Sequence, residues 1–274
     1  NKVTQKSPEQ KLSGIIVADE PHAVLSGINI LKNGGTAADA VVAAFFVMTV
    51  TYPVAAGIGA GGSCIVYDSN SKTSESINFM KNHLDSESFI GLPTAIRGLG
   101  ALQARYGKLR WSQIILRSEK LARFGFKMSR ASSKVAESYT QLPGVQRFYP
   151  FIIDDIASKE GNLIVQSELA DTLSRIRLLG SDEFYFGETG KLFISYTKNL
   201  GLEASTETLK KFQPKWQISN IYSAKNFNIF FPKTGPTGGN ITMNLISQIF
   251  DKSEFFNSSD EIKIHMLSET STRS

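Results

Sequence analysis

The chain is short of the residues that most often announce chemistry. Its 274 residues include one cysteine and three histidines. A single cysteine rules out a disulfide within the chain, and His22, His83 and His265 stand far apart in no ligand-like spacing, so no metal centre is expected. Runs of one charge are missing as well. The 30 Lys and Arg and 25 Asp and Glu leave a net charge of +5. The basic residues are scattered, with no stripe interleaved by aromatics, and nucleic acid is not an expected partner. The longest apolar run, around Ala40 to Val50, is too short to cross a bilayer and reads as a core helix apolar on every face. No membrane span is expected. The opening NKVTQKSPEQ has no charged segment leading into an apolar one, which fits either a leader already removed or a cytosolic protein. Also absent are a G-x-S-x-G elbow, a P-loop and an H-E-x-x-H pair, and three histidines among many serines define no catalytic triad.

What is there can bury a substantial core, with 41% hydrophobic residues. Residues 1–13 are polar and read as a loose arm. GIIVA (14–18) reads as a short strand, followed by a turn at Pro21 and a helix from about Ala23 to Lys32 that Asn33-Gly34-Gly35 stops. Thr36, with Asp39 three residues on, caps the Ala-rich helix AADAVVAAFFVMTV (37–50), which Pro53 limits. SCIVYD (63–68) and SKTSESINFM (71–80) read as a hairpin turning at DSNSK. From Leu92, helical spacing interrupted by Gly107 and Gly125 predicts two helices and a turn. In SELADTLSRIRLLG (167–180), Ser167 is the expected cap, Leu169, Leu173, Ile176 and Leu179 the buried stripe, and Gly180 the stop. KLFISYTKN and STETLKKF give helical pieces, FNIFF (227–231) a buried strand, and GGNITMNLISQIF (238–250) a helix. SDEIKIHMLSETSTRS (259–274) gives an amphipathic helix. The elements lack the regular alternation of a doubly wound parallel sheet.

Two glycine-rich turns stand out. In VTYPVAAGIGAGGSCIVYD (50–68), Gly57, Gly59 and Gly62 satisfy G-x-G-x-x-G, but they follow a helix and precede a strand. A dinucleotide cradle needs the reverse order, because the helix N-terminus supplies the donors that hold the pyrophosphate. These glycines are therefore expected to let the buried helix and a central strand meet closely. The second turn, GPTGGN (235–240), does run from strand to helix. Its N–H groups suit an anion or oxyanion, and equally a tight turn needing glycine. Cys64, inside an apolar strand, has the expected role of a small buried hydrophobe.

The order of these pieces resembles the γ-glutamyltranspeptidase family. GIIVADEPHAVLSGINILKNGGTAADAVVAAFFVMTVTYPVAAGIGAGGSCIVYD is similar to the opening of its large subunit. LPTAIRGLGALQARYGKLRWSQII resembles its Pro-Gly-x-x-x-Gly segment and Tyr-Gly turn, and LIVQSELADTLSRIRLLGSDEFYFGE its Leu-Ala-x-Thr-Leu helix and Phe-Tyr-x-Gly turn. FPKTGPTGGN stands where the family has Pro-Pro-Ser-Ser-Gly-Gly, and IHMLSETSTRS where it has a helix ending Ala-Asp-Arg. The resemblance spans nearly all of 14–274, taken as one large-subunit domain.

It implies an α+β fold, the large-subunit half of an N-terminal-nucleophile hydrolase αββα four-layer sandwich. A precursor cuts itself, and the N-terminal Thr of a separate small subunit attacks a γ-glutamyl or related amide through an acyl-enzyme, its α-amine serving as base. The partners implied are that small subunit and a small amide substrate; no cofactor is called for. No catalytic residue is expected in this chain, which begins with Asn1 and shows no Thr-Thr start after Arg273, so alone it is expected to be inert. The family resemblance places Met80 and Lys81, with Thr237, Gly238 and Gly239, along the substrate. Met80 stands where the family has an Arg whose fork grips the substrate α-carboxylate, Lys81 is expected on the opposite side of the strand, and Leu25 stands for a family Glu. Loss of such a charged partner costs about 2–5 kcal/mol. Glutathione is then an expected poor substrate, and an inert family member serving as a binding or structural scaffold is the alternative. The family further implies a periplasmic or secreted location, with the cytoplasm left open.

Overall fold

A computed structural model describes residues 14–80, 91–140, 150–154, 156–199, 201–202, 205–224, 227–233, 239, 242–243, 247, 249 and 253–273. The expected arm over 1–13 and most of the helix expected over 238–250 lie outside them. In chain order the elements are α1 (Pro21–Lys32), α2 (Ala37–Thr51), β1 (Gly62–Asp68), β2 (Thr73–Phe79), α3 (Ala95–Tyr106), α4 (Trp111–Phe124), β3 (Phe126–Lys127), α5 (Arg130–Tyr139), β4 (Ile152–Ile153), β5 (Ile156–Ala157) and β6 (Leu163–Ile164). They continue with α6 (Ser167–Leu179), α7 (Glu183–Phe186), α8 (Glu188–Asn199), α9 (Thr206–Lys211), β7 (Lys215–Ile218), β8 (Asn220–Ala224) and β9 (Phe227–Phe231). Helices Ser253–Asn257 and Asp260–Arg273 follow.

The oily helix α2 is the centre of the molecule because its polar ends are satisfied by side chains. At its start Thr36 and Asp39 close the capping box. The Asp39 carboxylate also accepts from the N–H groups of Lys108 (2.8 Å) and Leu109 (3.2 Å) and from Gln103 Nε2 (3.3 Å). Gly107 allows this approach, since a Cβ there would come 2.5 Å from Asp39 Oδ1. At its end the Val50 carbonyl accepts from Gln166 Nε2 (2.8 Å) and the Thr51 carbonyl from Ser132 Oγ (2.6 Å). With those groups paired, Val42, Phe46 and Val50 join one core with Ile96 and Leu99 of α3, Ile114 and Ile115 of α4, and Leu173 and Ile176 of α6.

β1, β2 and β7 form an antiparallel sheet in that order. Gly62 pairs with Phe79 and Asp68 with Thr73 across the hairpin, and Asn78 pairs with Lys215 on the other side. Ile77 and Phe79 enter the helical core, with Trp216 packed beside them. The opposite face turns toward the hairpin β8–β9, where the Tyr67 and Phe230 rings lie 5.2 Å apart and Ser74 Oγ donates to Ser219 Oγ at 2.9 Å. Arg97 of α3 ties the far end of this sheet to the helices. Its guanidinium lies 3.8 Å from the Tyr185 ring centre and Nη1 donates to the carbonyls of Leu209, Lys210 and Phe212, just before β7.

Several expectations need correction. Residues 14–18 pair with no strand among the described residues, so they form no sheet element there. Pro21 is the first helical residue rather than a turn, with Glu20 as N-cap. On α6 the buried residues are Ala170, Leu173 and Ile176, and Leu179 is 67% exposed because it lies at the helix end beside Gly180. Gln166, not Ser167, takes the N-cap position. β9 is no buried strand: Phe227 is 56% exposed, since the two-stranded hairpin has a single covered face. The last helix shows Ile262, Ile264 and Leu267 to solvent.

The first glycine turn does something other than expected. A Cβ on Gly59 would meet open space and one on Gly57 only ordinary contact with the Pro53 carbonyl, and neither takes a left-handed conformation. Of Gly57, Gly59 and Gly62, it is Gly62 that packs closely, and against the Phe79 ring of β2 rather than α2. The turn delivers a carbonyl: Ala60 O accepts from the N–H groups of Thr94 (3.1 Å) and Ala95 (2.9 Å), capping the start of α3.

Candidate functional site

The exit of β2 is built with unusual firmness. The Phe79 ring fits between Gly62, where a Cβ would lie 3.0 Å from it, and Gly98, where a Cβ would overlap it. Thr94 Oγ1 donates to the Phe79 carbonyl at 2.5 Å. One residue further, the Met80 N–H donates to Asn78 Oδ1 at 2.8 Å, closing the strand with a local side-chain turn. Met80 emerges 40% exposed. β2 stops at Phe79, so strand alternation does not extend to Lys81. That residue, Thr237 and Gly238 lie outside the described residues, while Gly239 is exposed and a Cβ there would meet nothing.

Two stretches far apart in sequence approach each other here. Leaving β9, the chain passes β2 so that the Lys233 N–H faces Ser76 Oγ at 3.5 Å, while Ser76 Oγ donates to the Gln217 carbonyl at 3.4 Å. The approach to GPTGGN thus starts beside the middle of β2, the strand that Met80 follows. By register, Ser63, Ser76, Asn78, Lys215 and Gln217 share this face of the sheet with Ile65 and Tyr67. Gln217 Oε1 is buried with no hydrogen-bond partner among the described residues. Sequence reading missed this cluster because β7 pairs with β2 across more than a hundred residues, and neither strand alternates cleanly enough to announce it.

Other candidate chemistry is quiet. Cys64 lies in an apolar cavity of about 280 Å³ between β1, α2 and α3, bordered by Val41, Tyr67, Leu102 and Tyr106. Burial pushes its thiol up to about 11, which leaves little thiolate at neutral pH. His22 lies against the Lys127 carbonyl at 3.0 Å. Among the described residues, no three His, Cys, Asp or Glu side chains are placed to hold a metal ion, and no helix is long and apolar enough to cross a membrane.

Helices packed on one face of an antiparallel sheet, with a second β layer on the other, make this an α+β protein of the N-terminal-nucleophile hydrolase type, represented by its large-subunit region. The family model for γ-glutamyltranspeptidase matches residues 23–274, and the chain belongs to that family. It is 25% identical to scoloptoxin SSD14 of Scolopendra dehaani over 93% of its own length and 48% of that protein's. It is 28% identical to the glutathione hydrolase proenzyme of Bacillus subtilis over 74% of its length and 39% of the proenzyme's. The chain therefore spans about half or less of these curated relatives. Among solved structures, γ-glutamyltranspeptidase from Pseudomonas nitroreducens superposes with a TM-score of 0.81 and 27% identity, covering 94% of this chain and 83% of that one.

Proposed function

We propose that the chain is the large subunit of a divergent amidohydrolase or acyltransferase that cleaves a γ-glutamyl or related amide. Its partner is a small subunit released from the same precursor, whose N-terminal Thr attacks the amide carbonyl while the α-amine takes the hydroxyl proton. The leaving amine departs, and water or an acceptor amine resolves the acyl-enzyme. The observation that carries this reading is the shared face on which the exit of β2 at Met80 and the approach to the second glycine turn after Lys233 lie.

The contribution of this chain is to shape and orient. Phe79, wedged between two glycines, and Thr94, bonded to its carbonyl, hold Met80 at the mouth of the sheet. Lys81, Thr237, Gly238 and Gly239 complete the wall in this reading. Met80 offers a polarisable thioether and no charge, so the favoured acyl group is less polar than glutamyl, or is read through Lys81 as a point charge in place of a fork. A periplasmic or secreted location goes with the reading. Met80 also favours a second reading, an inert scaffold whose recognition group has been lost.

The test is to express the full-length gene and determine the mass and N-terminus of each fragment. A second fragment beginning with Thr, with turnover of neutral-acyl anilides exceeding that of γ-glutamyl anilide, is expected. A product that never cleaves and acylates nothing refutes the enzyme reading and leaves the scaffold.

A further inference from the structure

One end of the three-stranded sheet gathers more than Met80. Because the strands run antiparallel, the start of β1, the exit of β2 and the start of β7 lie side by side, and register sets Ser63, Asn78 and Lys215 in one row. Adjacent strands stand about 4.8 Å apart, so the stem of Lys215 rises next to Asn78. Asn78 is the residue whose Oδ1 accepts from the Met80 N–H at 2.8 Å. Lys215 is exposed. The chain on either side of it is fixed: the Phe212 carbonyl accepts from Arg97 Nη1 at 2.6 Å, and the Trp216 ring meets Tyr106 on the opposite face at 5.7 Å.

The side chains that share the face with Lys215 are hydroxyls, amides, Ile65 and Tyr67, so this ammonium is the one charge that β1, β2 and β7 place there. The carboxylate of β2, Glu75, lies on the opposite face, where Arg105 at 2.7 Å and the Tyr106 hydroxyl at 3.1 Å hold it. A thioether and a cation therefore stand together at the mouth of the sheet, and they do not suit every acyl group alike. A γ-glutamyl group carries an ammonium and a carboxylate on one carbon, so a point charge repels the first nearly as strongly as it attracts the second. An acyl group that ends in a carboxylate alone keeps the whole attraction, while its methylene chain meets the Met80 thioether.

We propose that Lys215 is the specificity residue that reads an anion on the substrate wall, and that the acyl group it selects comes from a dicarboxylic acid. One carboxyl of that acid is bound as the amide, and the other is free with no amino group beside it. The proposal rests on the functional reading above and narrows it, giving the free carboxylate to the strand next to Met80 in place of Lys81. Water adds across the acyl–nitrogen bond, so the products are the dicarboxylic acid and the amine.

The test is to assay the mature full-length protein with glutaryl, butyryl and γ-glutamyl p-nitroanilides, which differ at the far end of the acyl chain. The kcat/KM for glutaryl is expected to exceed that for γ-glutamyl at least about fivefold, the scale of a half-exposed ion pair. Lys215→Met should lower the ratio of glutaryl to butyryl kcat/KM at least about fivefold, chiefly through KM, and Lys215→Arg should restore most of it. Added salt should narrow the glutaryl advantage. Lys198→Met, exposed in the last turn of α8, should leave the ratio where it was. An active protein in which Lys215→Met slows glutaryl and butyryl turnover in equal proportion, or loses the two-fragment complex, makes Lys215 a structural residue and overturns the proposal while the functional reading stands. A wild type that prefers γ-glutamyl to glutaryl overturns it as well. Absence of a Thr-led fragment together with no turnover of any of the three overturns the functional reading, and this substrate class with it.

Discussion

Replacing Asp39 tests whether the buried carboxylate, rather than helix propensity, holds α2 against the α3–α4 turn. Its Oδ2 accepts from the N–H groups of Thr36 (2.9 Å), Lys108 (2.8 Å) and Leu109 (3.2 Å), and Oδ1 from Gln103 Nε2 (3.3 Å). Asp39→Ala strips three backbone donors at once. At about 1–3 kcal/mol for each buried donor left unpaired, less what water recovers at the turn, the loss comes to about 4 kcal/mol. Asp39→Asn keeps one acceptor oxygen but turns an amide toward Gln103, which is already committed to the Leu109 carbonyl at 2.8 Å, so about 2 kcal/mol is expected. Burial alone would raise the carboxyl, but the donors from Thr36, Lys108, Gln103 and Leu109 outweigh it and hold it below its ordinary value of 3.8. The folded state therefore binds this proton less tightly than the unfolded state. The contribution is whole above about pH 4 and is lost as the pH falls through the lowered folded value. Urea melts of the full-length protein, followed by tryptophan fluorescence at pH 7 and pH 3, should show a gap between wild type and Asp39→Asn that narrows in acid. A loss below about 1 kcal/mol for Asp39→Ala at pH 7, or a gap that does not change with pH, refutes the reasoning.

Three further outcomes are expected. Cys64 in the native protein should react with iodoacetamide at pH 8 at least about 100-fold more slowly than after unfolding, because its thiol is pushed up to about 11; equal rates would show that the cavity opens freely. Gly98→Ala should destabilise the protein by about 1–3 kcal/mol, since the new methyl overlaps the Phe79 ring, and should disturb the Met80 exit; a melting temperature within a degree of wild type would contradict the packing. If the enzyme reading holds, Met80→Arg should raise kcat/KM for a γ-glutamyl anilide relative to a neutral-acyl one at least about tenfold, a fraction of the cost assigned to the missing charge pair. No change in that ratio would remove Met80 from the substrate wall.

Local grammar carried much of the fold. The box of Thr36 and Asp39, the stop at Gly34, the β1–β2 hairpin and the α3–α4 pair are each written within a few residues, where hydrogen bonding and glycine conformation act. What escaped depends on distant partners. Nothing within LKKFQPKWQI states that Trp216 will pair beside Ile77 or that Lys215 will face Asn78. GIIVA was expected as a strand, but a strand needs a neighbour, and none lies among the described residues. The role of the first glycine turn was misjudged because its effect, the Ala60 carbonyl capping α3, is spent on an element that begins more than thirty residues later. Met80 became a candidate only through family resemblance, and the serine, asparagine and lysine side chains near it came into view only through the sheet register.

The grip of Arg97 on the end of α9 bears on how the molecule comes apart. Burial lowers the Arg97 guanidinium from its ordinary value, against the opposing pull of Tyr185 and Asp182, but it stays protonated in acid, so this fastening has no acid release. Its weakness is mechanical: one side chain holds the carbonyls of Leu209, Lys210 and Phe212 immediately ahead of β7. Shortening that arm would let the stretch from 205 to 218 peel from the sheet as a unit while α2 and its packing stay intact, and limited proteolysis would find its first cut there.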